Sequence, residues 1–245
     1  MPGKDARILM MGSCFSTEVG RRLQEEGYCV TLNPFGILFN PASIARSLER
    51  LESRLPFTEA DVIPREGQFC SFHHHGSFRR ETPEAFLLNA NAALQAGADA
   101  FDAADTVVLT LGTAWVFRHL ARNIIVSNCH KVPAREFSRE RLSVDETVAL
   151  LAPVVERHQE KRWILTVSPV RHLADGPHGN QVSKATLVLA AEELCERFPQ
   201  VSYFPSYEIM VEELRESRWY AANGTHPSPE AVDLIAERFR QSLGI

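Results

Sequence analysis

Short apolar runs alternate along the chain with segments whose apolar residues recur every three or four positions. Arg7–Met11 (RILMM), Tyr28–Leu32 (YCVTL), Thr106–Leu111 (TVVLTL), Trp163–Val167 (WILTV) and Val201–Phe204 (VSYF) read as strands. Thr106–Leu111 is apolar apart from its threonines, the pattern of a strand buried on both faces. Helical spacing follows over Thr17–Glu26, stopped by Gly27, a favoured residue just past a helix end. Asn40-Pro41 supplies an N-cap and a first-turn proline for a helix through Ser53. Ser143 and Glu146 form a capping box for a helix to about Lys161. Ser183–Phe198 reads as helical with Ser183 as its cap, and Ser228-Pro229 opens a last helix to about Leu243.

This alternation predicts an α/β fold: a three-layer sandwich with a mostly parallel, doubly wound, flavodoxin-like sheet and right-handed crossovers. Leu55–Phe78 breaks the rhythm with Pro, Gly, aromatics and three consecutive histidines. It is expected as an insertion of loops or short antiparallel strands. No repeat, linker or composition shift divides the chain, so residues 1–245 are read as one domain.

Charge and cysteine content narrow the classes. Lys plus Arg is 26 and Asp plus Glu is 31, a net charge of −5. A non-specific nucleic-acid binder needs a basic stripe, so no nucleic-acid partner is expected. Five cysteines in a chain this long do not make a disulfide framework and suggest free thiols in a reducing compartment. The opening residues carry an apolar run of about four residues, against the roughly 7–15 of a signal-peptide core. No stretch approaches the roughly 20 residues of a membrane span. A cytoplasmic protein with no membrane partner is expected, and nothing in the pattern sets an oligomeric state.

In open α/β sheets ligands bind beyond the carboxyl ends of the strands. Directly after the first strand comes Gly12-Ser13-Cys14-Phe15-Ser16. A thiol at a strand-to-helix turn meets unpaired helix N–H groups, which lower its pKa. The turn is neither G-x-G-x-x-G nor a P-loop, which leaves a phosphate-binding enzyme as a distant reading. Before the last helix, Asn223-Gly224-Thr225-His226-Pro227 fixes a histidine between a glycine turn and a proline. Each residue also has a plain structural role: Cys14 as a small buried hydrophobe, His226 as a loop histidine and Asn223 as a turn residue.

Several further residues fall on the functional edge. Arg171 and His172 follow the fourth strand and suit an anionic group or a loop salt bridge. Asn128, Cys129, His130 and Lys131 follow a short apolar run and are placed at the cleft. Trp115 suits stacking on a sugar or adenine, or the core. His73 and His75 share one face of a strand but lack a third ligand, so no metal and no cofactor is expected.

The run Gly12-Ser13-Cys14-Phe15 resembles the namesake motif of the GSCFA family. The likeness continues through Asn33-Pro34-Phe35-Gly36, Thr110–Trp115, Asn128–Lys131, Ser168–His172, Ser183-Lys184-Ala185 and His226-Pro227-Ser228, essentially the whole chain. That family resembles the SGNH (GDSL-like) esterases and acyltransferases. The resemblance implies an SGNH-hydrolase-like fold and, more loosely, a hydrolase acting on ester bonds or an acyltransferase. It places the nucleophile on Cys14, the base on His226 and the orienting residue on Asn223. The oxyanion hole falls on the backbone N–H groups of Cys14 and Gly36. Three side chains depart from the SGNH pattern: Cys14 brings a thiol in place of the serine hydroxyl, Ala114 stands for the oxyanion asparagine and Asn223 for the aspartate usual in the family. Losing one oxyanion donor costs roughly 100–1000-fold in rate.

A thiol depends less on its base than a hydroxyl does. An asparagine can orient an imidazole through its carbonyl, as in Cys-His-Asn proteases of unrelated fold. The resulting expectation is a covalent acyl-Cys14 intermediate formed from a small-molecule or carbohydrate acyl substrate. Ser13, Asn40, Thr113, Trp115, Asn128, His130, Lys131, Arg171 and His172 are expected to surround it. An acyl-CoA co-substrate would pair its phosphates with Arg171 or Lys131. The alternative is a catalytically degenerate SGNH-fold binding module.

Overall fold

A computed structural model describes residues 6–244. In chain order it runs β1 (Arg7–Gly12), α1 (Cys14–Glu25), β2 (Cys29–Leu32), α2 (Pro41–Ser53), β3 (Ile63–Arg65), β4 (Gln68–Cys70) and α3 (Pro83–Ala103). β5 (Thr106–Leu111), β6 (Trp115–His119), β7 (Ile124–Ile125), β8 (Phe137–Arg141), α4 (Val144–Arg157) and β9 (Arg162–Val167) follow. The chain closes with α5 (Gly176–Arg197), β10 (Val201–Phe204), a short α6 (Ser206–Glu208) and α7 (Pro229–Leu243).

Five parallel strands form the central sheet in the order β10-β9-β5-β1-β2. Side-chain alternation sorts the core into two halves. Ile8, Met10, Val108 and Ile164 face the layer of α1 and α7. Leu9, Met11, Val107, Leu109, Trp163 and Leu165 face the layer of α2, α3, α4 and α5. Because both faces are covered, the strands read as continuous apolar runs. The doubly wound three-layer α/β architecture is the one the alternation predicts.

The caps are largely those expected. Asn40 Oδ1 accepts from Ser43 N at 2.8 Å, and the Ser143–Glu146 box closes in both directions at 3.1 and 2.7 Å. Ser228 Oγ accepts from Ala231 N at 3.3 Å. The break at Leu55–Phe78 contains the β3–β4 hairpin.

Four features differ from the sequence reading. Helix α4 stops at Arg157, because Lys161 turns back to donate to the Asp102 and Ala104 carbonyls. Helix α5 starts at Gly176, so Ser183 lies inside it rather than capping it. Helix α3 has no counterpart in the predicted elements. Half of its buried stripe (Phe86, Ala90, Leu94, Gly97, Ala98, Phe101) is alanine and glycine, which weakens the apolar signal. Gly97 lets α3 approach closely, since a Cβ there would stand 2.7 Å from Pro34. The antiparallel ribbon β7-β6-β8 is also new, and it walls one side of the carboxyl edge of the sheet. Cys29 is exposed at the start of β2. Among the described residues no helix is long and apolar enough to cross a membrane.

Candidate active site

The turn after β1 is pinned on three sides. Gly12 N donates to Asn33 Oδ1 at 2.8 Å, its carbonyl accepts from Leu38 N at 2.9 Å, and Ser13 N donates to the Thr110 carbonyl at 3.1 Å. Gly12 has φ +135°, and a Cβ there would stand 2.1 Å from the Thr110 oxygen. Only glycine fits so close to the neighbouring strand. The pinned turn delivers Cys14 as the first residue of α1, half-buried, with the N–H groups of Cys14 and Phe15 directed at its sulfur.

Burial pushes the Cys14 thiol pKa up, and the nearby Glu18 carboxylate adds to this. The two N–H groups and the Lys184 ammonium oppose it without reversing the sign. The direction is therefore opposite to the lowering expected from a helix N-terminus alone. Desolvation of the thiolate outweighs the helix.

A loop held by backbone bonds carries His226 to the same place. Ala221 N donates to the His226 carbonyl at 2.8 Å, Ser228 N to Trp219 at 2.8 Å, and Arg171 N to Thr225 at 3.0 Å. Cys14, Glu18, Arg22, Val170 and His226 line one pocket of about 390 Å³ between α1 and the start of α7. Asn223 Oδ1 accepts from the Thr225 and His226 N–H groups at 2.9 and 3.1 Å, which fixes which end of the amide is which. Its Nδ2 then faces His226 Nδ1 at 2.9 Å as a donor. Thr225 Oγ1 lies 3.0 Å from the same Nδ1. Asn223 thus orients the ring through its amide nitrogen, not its carbonyl. The neutral imidazole accepts at Nδ1 and carries its proton on Nε2.

Gly36, expected as the second oxyanion donor, is committed elsewhere. Its N–H donates to the Asn33 carbonyl at 2.8 Å in a tight turn with φ +80°. Ala114 is buried, and its N–H donates to Ser183 Oγ at 2.8 Å.

A second cavity, of about 520 Å³, lies on the far side of the Val170–His172 segment. Asn40, Thr113, Trp115, Asn128, Arg171 and His172 line it, and Cys14 does not. Asn40 and Asn128 spend their oxygens on Ser43 N and His130 N, leaving amide nitrogens for a ligand. Thr113 Oγ1 is shared with Ser183 Oγ and Trp115 N at 3.0 and 3.1 Å. The Arg139 guanidinium stacks 4.3 Å over Trp115. Burial, reinforced by Lys184, brings the His172 pKa down to about 4.

Three expected substrate residues lie outside both cavities. His130 is buried and its Nε2 is 2.8 Å from the Ser71 carbonyl. Lys131 is exposed and pairs with Glu66 at 3.6 Å. Ser13 Oγ is buried against the sheet, without a hydrogen bond among the described residues. Arg171 stacks 3.6 Å over Tyr220 and donates to the Gly224 carbonyl at 3.3 Å, which ties it to the His226 loop. His73 and His75 lie in a turn rather than on one face of a strand. Among the described residues no three His, Cys, Asp or Glu are grouped to hold a metal.

Lys184 went unassigned as a functional residue in the sequence reading. It is wholly buried, and its Nζ donates to the Gly112 and Ser168 carbonyls at 2.7 and 2.6 Å. The signal was available: Lys184 shares a buried helical stripe with Leu187, Ala191 and Leu194.

The sequence profile of the GSCFA family matches residues 7–239. No curated protein matches the chain. Among solved structures the chain is similar to the psychrotrophic esterase EstA from Pseudoalteromonas sp., in a structure inhibited by monoethylphosphonate. The two share 12% identity over 98% of this chain and 97% of that one, with a TM-score of 0.43. It is also similar to a candidate platelet activating factor from Streptococcus pneumonia, with 12% identity over 96% of this chain and 84% of that one and a TM-score of 0.45.

Proposed function

The chain belongs to the GSCFA family, and from that premise we propose that it is an acyl-group enzyme that opens ester or thioester bonds through Cys14. The observation that carries this reading is that Cys14 and His226 line one pocket, each presented by a turn held by several backbone hydrogen bonds. The thiolate attacks the acyl carbonyl, forming a carbon–sulfur bond. The bond to the leaving alkoxide or thiolate breaks, and that group takes up one proton, balancing the one the thiol gave up. Water or an alcohol then attacks the acyl-Cys14 thioester and restores the thiol, giving hydrolysis or transfer.

The developing oxyanion lies near the α1 N-terminus, where the Cys14 and Phe15 N–H groups gather. His226, with its proton on Nε2, adds a side-chain donor from the pocket wall. This would make up for the missing Ala114 amide and the committed Gly36 N–H. The neighbouring cavity, with Trp115, Phe39 and Phe117 beside Arg139 and Arg171, suits a substrate with an apolar or sugar-like body.

A binding module that has lost catalysis is the competing reading, and the raised thiol pKa favours it. Incubation with an activated acyl ester and with an acyl thioester, followed by intact-mass measurement, separates the two. The expected result is a transient acyl adduct on the wild type, none on Cys14→Ala, and slower formation on His226→Ala. No adduct with either reagent, or equal ester turnover by Cys14→Ala, overturns the enzyme reading.

A further inference from the structure

We propose that the cavity of about 520 Å³ is a binding site for a flat apolar molecule with an oxygen-acceptor head, a carboxylate or a carbonyl, held by the side-chain amides of Asn40 and Asn128. This rests on the reading of that cavity as a substrate site and adds what its occupant must be. Cys14 does not line the cavity and takes no part in the binding.

Two asparagines become donors of fixed direction. Asn40 is the N-cap of α2, is only 5% exposed, and its Oδ1 accepts from Ser43 N at 2.8 Å. That bond settles which end of the amide is which. Nδ2 then has no partner among the described residues, in a side chain that lines the cavity. Asn128, on the segment after β7, repeats the device: its Oδ1 accepts from His130 N at 2.7 Å and its Nδ2 is left over. Serine or aspartate would serve either local bond as well. An N–H group in so buried a side chain needs an acceptor, and the cavity is where one can come from.

The charges around the cavity exclude a cation. Asp175 is the one carboxylate among the lining residues, and its buried side chain is already paired with Arg139. Arg171 adds a second guanidinium, with no carboxylate partner among the described residues. Its plane lies on Tyr220, so it contributes charge and not a fork to the ligand. The His172 ring stays neutral because burial brings its pKa down to about 4. Two guanidinium groups against one carboxylate leave a net positive field, which repels an ammonium head. Thr113 Oγ1 is occupied by Ser183 and Trp115 N, and the Ser127 hydroxyl can serve either way.

The rest of the lining is apolar: Phe39, Trp115, Phe117, Val126 and Leu173. Phe117 and Leu173 are exposed, and a flat ligand body would cover them. Trp115 is held rigid, with Arg139 stacked over its ring at 4.3 Å and Nε1 bonded to the Gly179 carbonyl at 3.4 Å. An apolar wall with a few fixed polar groups is the usual make-up of a small-molecule site.

The probes are 2-naphthylacetate, 2-naphthylacetamide and 2-naphthylethylamine, one ring system with an anionic, a neutral and a cationic head. Calorimetric titration at neutral pH is expected to show saturable binding of the acid and the amide, within about fivefold of each other. The amine is expected to bind at least about tenfold more weakly. In 15N-labelled protein the Asn40 and Asn128 side-chain NH2 signals should move as the acid or amide is added. Asn40→Ser keeps a helix cap but removes Nδ2. It should leave the unfolding midpoint unchanged and weaken both ligands by about tenfold, as the loss of one hydrogen bond does. Asn40→Asp also keeps the cap but turns the donor into an acceptor, and should abolish binding of the acid. Cys14→Ala should bind both as the wild type does. No saturable binding, an amine that binds as tightly as the acid, or binding of the acid without the amide overturns the inference. So does binding that survives both Asn40 variants, or that is lost in Cys14→Ala. An acyl adduct on Cys14 without naphthyl binding overturns this site and leaves the acyl-enzyme reading intact. Naphthyl binding that follows the Asn40 variants, with no adduct, supports the site and removes only the acyl-enzyme reading.

Discussion

Asn223 Nδ2 donates to His226 Nδ1 across 2.9 Å, while Asn223 Oδ1 is held by two backbone N–H groups of its own loop. The arrangement sets the tautomer of the ring. A carboxylate at this position would do the opposite. In Asn223→Asp one oxygen keeps the two N–H bonds, and the other replaces the amide nitrogen and can only accept. The proton must then sit on Nδ1, leaving the Nε2 lone pair free in the pocket. The expected result is an exchange of the two imidazole 15N shifts and a rise of about tenfold or more in kcat/KM for an activated ester. Unchanged nitrogen shifts would show that the loop, and not the side chain, sets the ring.

Gly12→Ala is expected to be the most damaging single substitution at the turn. The new Cβ would stand 2.1 Å from a backbone oxygen of the adjacent strand, at φ +135°, and no flexible side chain can give way. A shift large enough to relieve this breaks the Gly12–Asn33 and Ser13–Thr110 bonds that aim Cys14. A loss of about 3 kcal/mol or more in urea unfolding is expected, or no folded protein. Gly27→Ala is the control: its φ is also positive, at +90°, but nothing lies within 4 Å of the added Cβ. Its cost should stay at about 1 kcal/mol.

The sheet was readable because each central strand is apolar on both faces, a pattern that survives without knowing its neighbours. The positions of Cys14 and His226 were readable for a related reason: ligand sites lie just past strand ends, and both residues sit in turns marked by glycine or proline. What sequence could not supply was the hydrogen-bond bookkeeping. Gly36 offers an N–H in principle, but Asn33 has already taken it. Asn223 has a carbonyl and an amine, and only the loop geometry decides which one meets the ring. The sign of the Cys14 shift depends on burial, which a helix-terminus argument leaves out. Lys184 was hidden by its residue type, since lysine in a helix is ordinarily a solvent-facing residue.

His74 should make the fold acid-sensitive. Its ring is wholly buried among Phe35, Phe57, Phe78 and Phe86, and neither nitrogen has a hydrogen bond. Burial brings its pKa down to about 3. The unfolded chain binds a proton here below about pH 6.5, while the folded chain does not until about pH 3. Stability from this group is therefore complete above 6.5 and is lost as pH falls toward 3, at about 1.4 kcal/mol per pH unit. His172, brought down to about 4, adds the same slope between 6.5 and 4. His74→Leu removes the unpaired nitrogens. It is expected to stabilise the protein by about 1 kcal/mol at pH 7 and to flatten the acid limb. Urea unfolding at pH 5 and pH 7 measures both, and an unchanged difference between the two pH values would refute the assignment.

Arg171 is expected to position His226 rather than bind an anion. Its guanidinium lies flat over Tyr220 at 3.6 Å and donates to the Gly224 carbonyl, so both ends of the His226 turn rest on one side chain. The backbone bond from Arg171 N to Thr225 survives truncation, so the loop stays attached but loses its clamp. Arg171→Ala should therefore cost only about 0.5–1 kcal/mol of stability, the worth of an exposed cation–π contact. Misplacement of a reacting group by about 1 Å can cost up to about 100-fold in rate. A fall in kcat of about tenfold is expected, equal for neutral and anionic acyl esters. Arg171→Lys should not restore it, because an ammonium cannot stack on the ring and reach the carbonyl as a planar fork does. The opposite pattern, a KM that rises for anionic substrates alone and recovers in Arg171→Lys, would assign Arg171 to substrate charge and leave the His226 loop held by its backbone.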